Sequence, residues 1–126
     1  MNLGSIAGSA LNAFGVDMMV RANNIANVNT DGFQAQRLNL MTGPGGTGVQ
    51  VGSIDRDTSH GPMVPGLVPS NADGSGALVS GYVEGSNTDL GREFVHMIAT
   101  QRGYEANAKV VSTYDDVSGT LIDMMA

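Results

Sequence analysis

Cysteine and tryptophan are absent from this chain, and its only aromatic side chains are three phenylalanines and three tyrosines. Without cysteine there is no disulfide framework and no thiolate metal site. With so few large aromatics, the chain lacks the side chains that dominate ordinary cores and binding hot spots. Basic charge is scarce as well: one lysine, Lys109, and five scattered arginines against twelve carboxylates leave a net charge of −6. Nucleic acid requires clustered cations to neutralise phosphates, so that class is excluded. The basic amphipathic face of a membrane-surface helix is missing too. No apolar run is expected to approach the roughly 20 residues of a transmembrane span, so no direct membrane insertion is expected. The start, Met1-Asn2-Leu3-Gly4-Ser5, lacks the basic and apolar regions of a signal peptide, so export would leave it uncut. A chain of 126 residues is one domain, or one small domain with long helices.

What the chain does have is helical periodicity at both ends. From Phe94, steps of three and four meet Met97, Gln101, Tyr104, Ala108, Val111, Asp115, Ser118, Ile122 and Met125. Spacing of this kind marks a helix lying lengthwise on another helix. Ser86, Asn87 and Thr88 offer N-cap oxygens, and Asp89 and Glu93 place negative charge at the positive end of the dipole. Glu105 and Lys109 form a favourable i,i+4 pair. At 1.5 Å per residue a helix over 87–126 would run roughly 55 Å, too long to hide in a small globule. A rod covered by its neighbours is the expectation. A second stripe, Gly4, Ala7, Leu11, Phe14, Met18, Arg21, Ile25 and Val28, predicts a helix from residue 3 to about 29. Gly4, Gly8 and Gly15 within it are expected where another backbone comes close, since each costs about 1 kcal/mol against alanine.

Asn23-Asn24-Ile25-Ala26-Asn27-Val28-Asn29-Thr30-Asp31-Gly32-Phe33 reads as a helix stop and tight turn, with Gly32 supplying positive φ. Asn27, Asn29, Asp31 and Gly32 match positions of a calcium-binding loop. The twelfth position, which should be a bidentate glutamate, is Leu38, so the turn is preferred.

All four prolines and 11 of the 18 glycines lie between Gly43 and Gly85. Gly43-Pro44-Gly45-Gly46-Thr47-Gly48 has no Lys-Ser/Thr after it and is a flexible loop rather than a phosphate cradle. Gly48–Asp55 and Ala77–Glu84 are expected strands that pair with each other as a small hairpin. Between them, Gly61–Ser75, with the turn Asn71-Ala72-Asp73-Gly74, is expected to be a loop or extended arm.

Chemistry finds little support. His60 and His96 have no second ligand at metal-binding spacing, and no nucleophile elbow or His–acid arrangement occurs. Asp115-Asp116 reads as a solvated face, and Met124-Met125 as helix packing. The expectation is a protein that is not an enzyme and has no catalytic, cofactor or metal residues.

Two stretches resemble one family. Ala10-Leu11-Asn12-Ala13, continuing through Ala22 to Phe33, looks like the N-terminal signature of the bacterial flagellar rod and hook proteins. Glu84-Gly85-Ser86-Asn87-Thr88-Asp89-Leu90, Glu93-Phe94, Met97-Ile98 and Gln101-Arg102-Gly103-Tyr104-Glu105-Ala106-Asn107-Ala108-Lys109-Val110-Val111 are similar to its C-terminal signature. The resemblance implies a self-assembling tubular axial protein without an active site. Its terminal helices would pair, its partners would be copies of itself and other rod and hook proteins, and the flagellar type III apparatus would export it without signal cleavage. The short middle resembles proximal-rod members, whereas Glu84-Gly85-Ser86-Asn87 and Gln101-Arg102 look more like distal-rod and hook versions. Gly103 stands where alanine is commoner, and Tyr114-Asp115-Asp116-Val117 departs from the usual small-residue, Asp-Glu-Met pattern.

The expected fold is mainly α: long N- and C-terminal helices paired as a coiled coil, with a small β-hairpin and loop-rich middle. Residues 1–33 would form the N-terminal part of the axial core, 34–86 the middle and 87–126 the C-terminal part. Leu11, Phe14, Met18 and Ile25 are expected to pack on Phe94, Met97, Tyr104, Val111 and Ile122. Gln101, Asn107 and Ala108 are further assembly candidates, and Asn23, Asn24 and Asn27 would form polar ladders between neighbouring subunits. The expected role is a basal-body rod subunit, spanning the periplasm, that transmits torque and encloses the export channel. A hook-type subunit and a small helical adaptor of the export system are the alternatives.

Overall fold

A computed structural model describes residues 2–70 and 74–126. Along the chain run α1 (Leu3–Ala26), β1 (Gln36–Thr42), a 3-10 turn (Pro44–Gly46), β2 (Val49–Arg56), β3 (Met63–Pro69), β4 (Leu78–Glu84) and α2 (Leu90–Met125). Asn71, Ala72 and Asp73 of the expected turn lie outside the described residues.

The Asn2 side chain starts α1 by accepting the Ser5 N–H at 2.8 Å. The helix stops at Ala26, a turn earlier than expected. Asn27 folds its own amide back to the Asn23 carbonyl at 2.9 Å, in competition with helix continuation. Helix α2 begins at Leu90 rather than at 87, capped by Asp89, whose carboxylate accepts the Arg92 N–H at 3.1 Å. Asn87 and Ser86 do not cap it because their side chains are engaged elsewhere: Asn87 bonds three backbone groups of the middle segment, and Ser86 bonds Thr88. Glu105 bonds Arg102 at 2.9 Å, in preference to the expected partner Lys109.

The two helices pack antiparallel. Gly4 lies by Tyr114, Phe14 by Gly103, Asp17 by Thr100 and Arg21 by Glu93, so rising numbers on one meet falling numbers on the other. On α2 the residues with restricted exposure are Glu93, Met97, Thr100, Gly103, Asn107, Val111, Tyr114 and Ser118. Three of these, Met97, Val111 and Ser118, lie on the expected stripe. Phe94, Gln101, Tyr104, Ala108, Asp115, Ile122 and Met125 point outward instead, which corrects the expected intrachain packing. The polar contacts of Arg21 with Glu93 and of Thr100 with Asp17, and the Phe14 ring against Gly103, turn that side of α2 toward α1 and leave Phe94, Tyr104 and Ile122 on the other. The buried face of α1 is formed by Ala7, Ala10, Ala13, Asp17, Val20 and Asn24. Contrary to expectation no backbone crowds these glycines: a Cβ on Gly4 would make ordinary contact with the Tyr114 ring at 3.4 Å, and one on Gly8 or Gly15 would meet nothing within 4 Å. By length and composition α1 is apolar enough to cross a membrane, which also departs from the sequence expectation. The same apolarity serves the alanine face packed on α2.

The middle is two antiparallel hairpins, not one. β1 pairs with β2 and β3 with β4, so 49–56 and 78–84 each find a local partner. The missed strand β1 carries Leu38 inward between polar neighbours, and Gly52 forms a bulge where the register shifts beside Asn39 and Leu40. Strand β3 was masked by its prolines. The Ser70 N–H donates to the Ala77 carbonyl, and the Gly85 N–H to that of Pro62. Even-numbered residues of β3 therefore face β4, while Pro65 and Pro69 turn their missing N–H to the open edge and cost no ladder bond. The first hairpin rests on α1: Ser9 Oγ accepts the Val49 N–H at 3.1 Å, close to Gly48, which sits at φ +70 where the loop returns. Gly32 takes positive φ as expected (69°).

A Cβ on Gly103 would lie 3.2 Å from the Phe14 ring, whereas one on Gly119 would meet nothing within 4 Å. Gly103→Leu should therefore wedge the helices apart and cost about 1–3 kcal/mol in urea melts. Gly119→Ala should be neutral or stabilise by up to about 1 kcal/mol. Equal effects from the two substitutions would contradict this packing.

Candidate assembly interface

Three polar fixtures hold the helix pair and the hairpins to one another. The first sits between the helices. Arg21 Nε lies 3.0 Å from Asp17 Oδ2, and its Nη1 lies 3.4 Å from Glu93 Oε2. The Thr100 hydroxyl donates to the same Asp17 oxygen. Asp17 and Glu93 are each only 7% exposed. An unpaired charge there would carry a desolvation cost of several kcal/mol, so the two acids depend on the one guanidinium.

The second fixture is Asn24, fully buried, whose amide imitates a strand. Its Nδ2 donates to the Gln36 carbonyl at 2.7 Å, and its Oδ1 accepts the Gln36 N–H at 2.8 Å. The third is Asn87, whose Oδ1 accepts the Ala35 N–H at 2.7 Å. Its Nδ2 donates to the carbonyls of Asp57 and Ser59, both at 2.8 Å. Residues 33–36 are thus held between one asparagine from α1 and one from the approach to α2, with the Asn87 N–H on the Phe33 carbonyl at 3.2 Å.

At the base of the second hairpin, Glu84 accepts the Gly61 N–H at 2.8 Å and faces His60 Nδ1 at 3.3 Å. The Gly61 amide, then the His60 contact, hold its carboxyl below the ordinary value. Hydrogen bonds from Ser59 do the same for Asp57. No group of three or more His, Cys, Asp or Glu that could hold a metal occurs among the described residues.

The sequence-derived assembly residues divide by environment. Leu11, Phe14, Met18 and Ile25 on α1, and Met97, Asn107 and Val111 on α2, are half-buried in the helix pair. Of these, Phe14 meets Gly103, and Asn107 Nδ2 bonds the Gly103 carbonyl at 2.8 Å. Phe94, Gln101, Tyr104, Ala108 and Ile122 face outward. Asn24 and Asn27 use their amides within the chain, and Asn23 accepts from Asn27. Sequence reasoning missed Asp17, Thr100, Gln36 and the clamping role of Asn87. A signal for the first pair was present: a carboxylate on an apolar helix, four residues before an arginine.

Residues 5–34, covering α1 and the turn after it, match the family described as flagella basal body rod protein. Residues 79–124, covering β4 and α2, match the flagellar basal body rod FlgEFG protein C-terminal family. Across most of its length the chain is similar to the flagellar basal-body rod protein FlgC of Borreliella burgdorferi, 32% identical over 133 residues and covering 86% of each chain. The chain belongs to the flagellar basal-body rod protein family. It is also similar to the rod protein FlgG of Bacillus subtilis, where identity is 45% over 51 residues, 40% of this chain and 19% of that one. For the hook protein FlgE of Escherichia coli it is 43% over 49 residues, 39% and 12%. The chain thus spans about a fifth and an eighth of those two relatives' lengths. Asp17, Arg21, Asn24, Asn87, Glu93 and Thr100 all fall inside the two family-matched segments of this rod-family chain.

Asn24→Ala would orphan the Gln36 N–H and carbonyl at about 1–3 kcal/mol per buried group. The expected outcome is a lower melting temperature and lost hydrogen-exchange protection at the Gln36 amide. A depressed carboxyl stabilises the fold above its unfolded value, and that contribution fades as pH falls through the folded one. Protection of the Gly61 amide, its exchange rate taken relative to the intrinsic rate at each pH, should fall with acidification below about 4.5, the ordinary glutamate value, and Glu84→Gln should remove that dependence. A Gly61 exchange profile identical in wild type and variant would contradict the assignment.

Proposed function

We propose that this chain is a structural subunit of the bacterial flagellar basal-body rod. It self-assembles with copies of itself and other axial proteins into the tubular shaft that transmits torque and encloses the export channel. One observation carries the proposal: the chain buries very little and leaves much apolar surface outside. Its buried apolar side chains are Ala7, Ala10, Ala13, Val20 and Leu38, while Phe94, Val95, Ile98, Leu121 and Ile122 stand exposed on α2. Monomeric soluble proteins rarely expose such contiguous surface unless something covers it. Contacts spread along two long helices also suit a shaft, because twisting is resisted at many points rather than at one hinge.

In this proposal the antiparallel helices continue as coiled-coil layers between neighbours. The subunit passes through the flagellar type III export apparatus without signal cleavage and resides in the periplasm-spanning rod. It performs no catalysis and needs no cofactor. The hook alternative draws on similarity over 39% of the chain, against 86% for the rod protein FlgC, so the rod is favoured. A small adaptor of the export system would stay monomeric at rising concentration, whereas a rod subunit polymerises.

Tyr104 lies outward on α2, so Tyr104→Asp should leave expression and helical content unchanged while abolishing rod assembly and swimming. Labelled wild-type protein should co-purify with isolated basal bodies. Normal swimming of the variant, or absence of the label from basal bodies, would contradict the proposal.

A further inference from the structure

We infer that the outer edge of β4 is a pairing edge. Through it two copies of this chain join about a two-fold axis at Ser80, merging their second hairpins into one four-stranded sheet. This contact lies outside the rod-subunit proposal and does not depend on it.

The two hairpins have four outer edges, and three of them are closed. On β1 the Asn24 side chain takes both backbone groups of Gln36, at 2.7 and 2.8 Å, and Leu38 beyond it is buried. On β2 the Ser9 hydroxyl holds the Val49 N–H, Gly52 bulges, and Asp55 and Arg56 charge the far end. On β3 Pro65 and Pro69 remove outward donors. Bulges, charges and prolines are the devices that keep strand edges from pairing.

β4 has none of these. It contains no proline, carries no charge before Glu84 and pairs with β3 without a register shift. Its odd-numbered residues face β3, so Leu78, Ser80 and Tyr82 turn their backbone N–H and C=O outward. Glu84, next in that series, already accepts the Gly32 N–H on its carbonyl. Among the described residues no hydrogen bond reaches the outward groups of the other three.

The occupant follows from the same survey. A strand that pairs here must bring an open edge of its own, and in a second copy only β4 offers one. The edge is also self-complementary. Antiparallel pairing about Ser80 uses all three free residues and sets each Leu78 opposite the other copy's Tyr82. These side chains are 61% and 67% exposed and share a face with Met63 and Leu67. Directly opposed aromatic and aliphatic side chains are what stabilise neighbouring strands. Two chains of net charge −6 repel at most surfaces, but no charge meets another across this axis. The pairing also meets a need of the hairpin, which makes no extensive contact with either helix or with the first hairpin. Two strands alone are marginal in water, and four with a shared apolar face are not.

A two-fold contact closes after two copies, so it joins free subunits and does not propagate along a shaft. Three residues from each strand bury well under the roughly 1,200 Å² of a stable binary interface, so the dimer is weak and forms with rising concentration.

The chain has no cysteine, so linking at a single site reads the axis directly. Ser80→Cys copies, oxidised at rising concentration, should link to one another several-fold faster than Gln50→Cys copies, which carry the thiol at an exposed site on β2. Only a two-fold contact brings a residue against its own counterpart. In the wild-type chain the Ser80 and Tyr82 amides should exchange freely when dilute and slow several-fold as concentration rises. The Gly81 amide, bonded to β3, should stay protected throughout. Ser80→Pro removes an outward donor and no ladder bond, so it should abolish the concentration dependence at Tyr82 with Gly81 still protected. Equal linking at the two sites, or free exchange of Ser80 and Tyr82 at every concentration, would overturn the pairing. Slowing of these amides only in isolated basal bodies would assign the edge to another axial protein and overturn it too. Filaments of wild-type chain without linking at Ser80→Cys would leave the rod proposal standing and this contact refuted.

Discussion

The structure turns on one guanidinium. Arg21 bridges Asp17 and Glu93 inside a seam whose most buried apolar side chains are Ala7, Ala10, Ala13 and Val20. Replacing a buried ion pair by apolar residues is often neutral, so this cluster is poor evidence for stability as such. What it supplies is register. Alanine faces slide over one another at little cost, but a one-turn slip here would part Glu93 from Arg21 and Thr100 from Asp17, leaving Glu93 buried without its cation. The Thr100 hydroxyl on Asp17 and the Phe14 ring over Gly103 set the same alignment from α2. Gly103 thereby has a physical reason, since an added Cβ would lie 3.2 Å from the Phe14 ring.

From that alignment the rest follows. The alignment turns Glu93, Thr100, Gly103 and Asn107 toward α1 and leaves Phe94, Tyr104 and Ile122 on the outside. Asn24 and Asn87 attach the middle segment to the same pair, so the first hairpin is positioned by α1 and residues 33–36 by α1 and the approach to α2. The second hairpin joins through Glu84, whose carbonyl accepts the Gly32 N–H at 2.7 Å. An isolated two-stranded hairpin is marginal in water. Each part of the subunit is tied down at its base, and each leaves apolar surface outside.

Much of this was visible in the sequence, and the failures have specific causes. Both helices, the stop near Asn27 and the left-handed Gly32 were readable from periodicity and turn chemistry. The seam was not, because periodicity identifies the most apolar stripe and takes it for the inner one. In α2 that stripe, led by Phe94, Tyr104 and Ile122, faces outward, and the inner one contains Glu93, Thr100 and Asn107. A helix whose most apolar stripe stands outside inverts the usual inference. The second hairpin was hidden because Pro65 and Pro69 argue against a strand unless their orientation to the edge is known. Asn24 and Asn87 were unreadable as clamps because their partners, Gln36, Asp57 and Ser59, lie far off in sequence.

The central claim is that the chain arrives with its helix register set and with surfaces that only neighbours cover. Hydrogen exchange, measured residue by residue on the dilute subunit and on isolated basal bodies, tests it most directly. Amides from Glu93 to Asn107 should be protected in both states, whereas those from Val117 to Met125 should exchange freely in the dilute subunit and slow in the basal body. Protection of 117–125 already present in the dilute chain, or free exchange there in the assembled rod, would contradict the account.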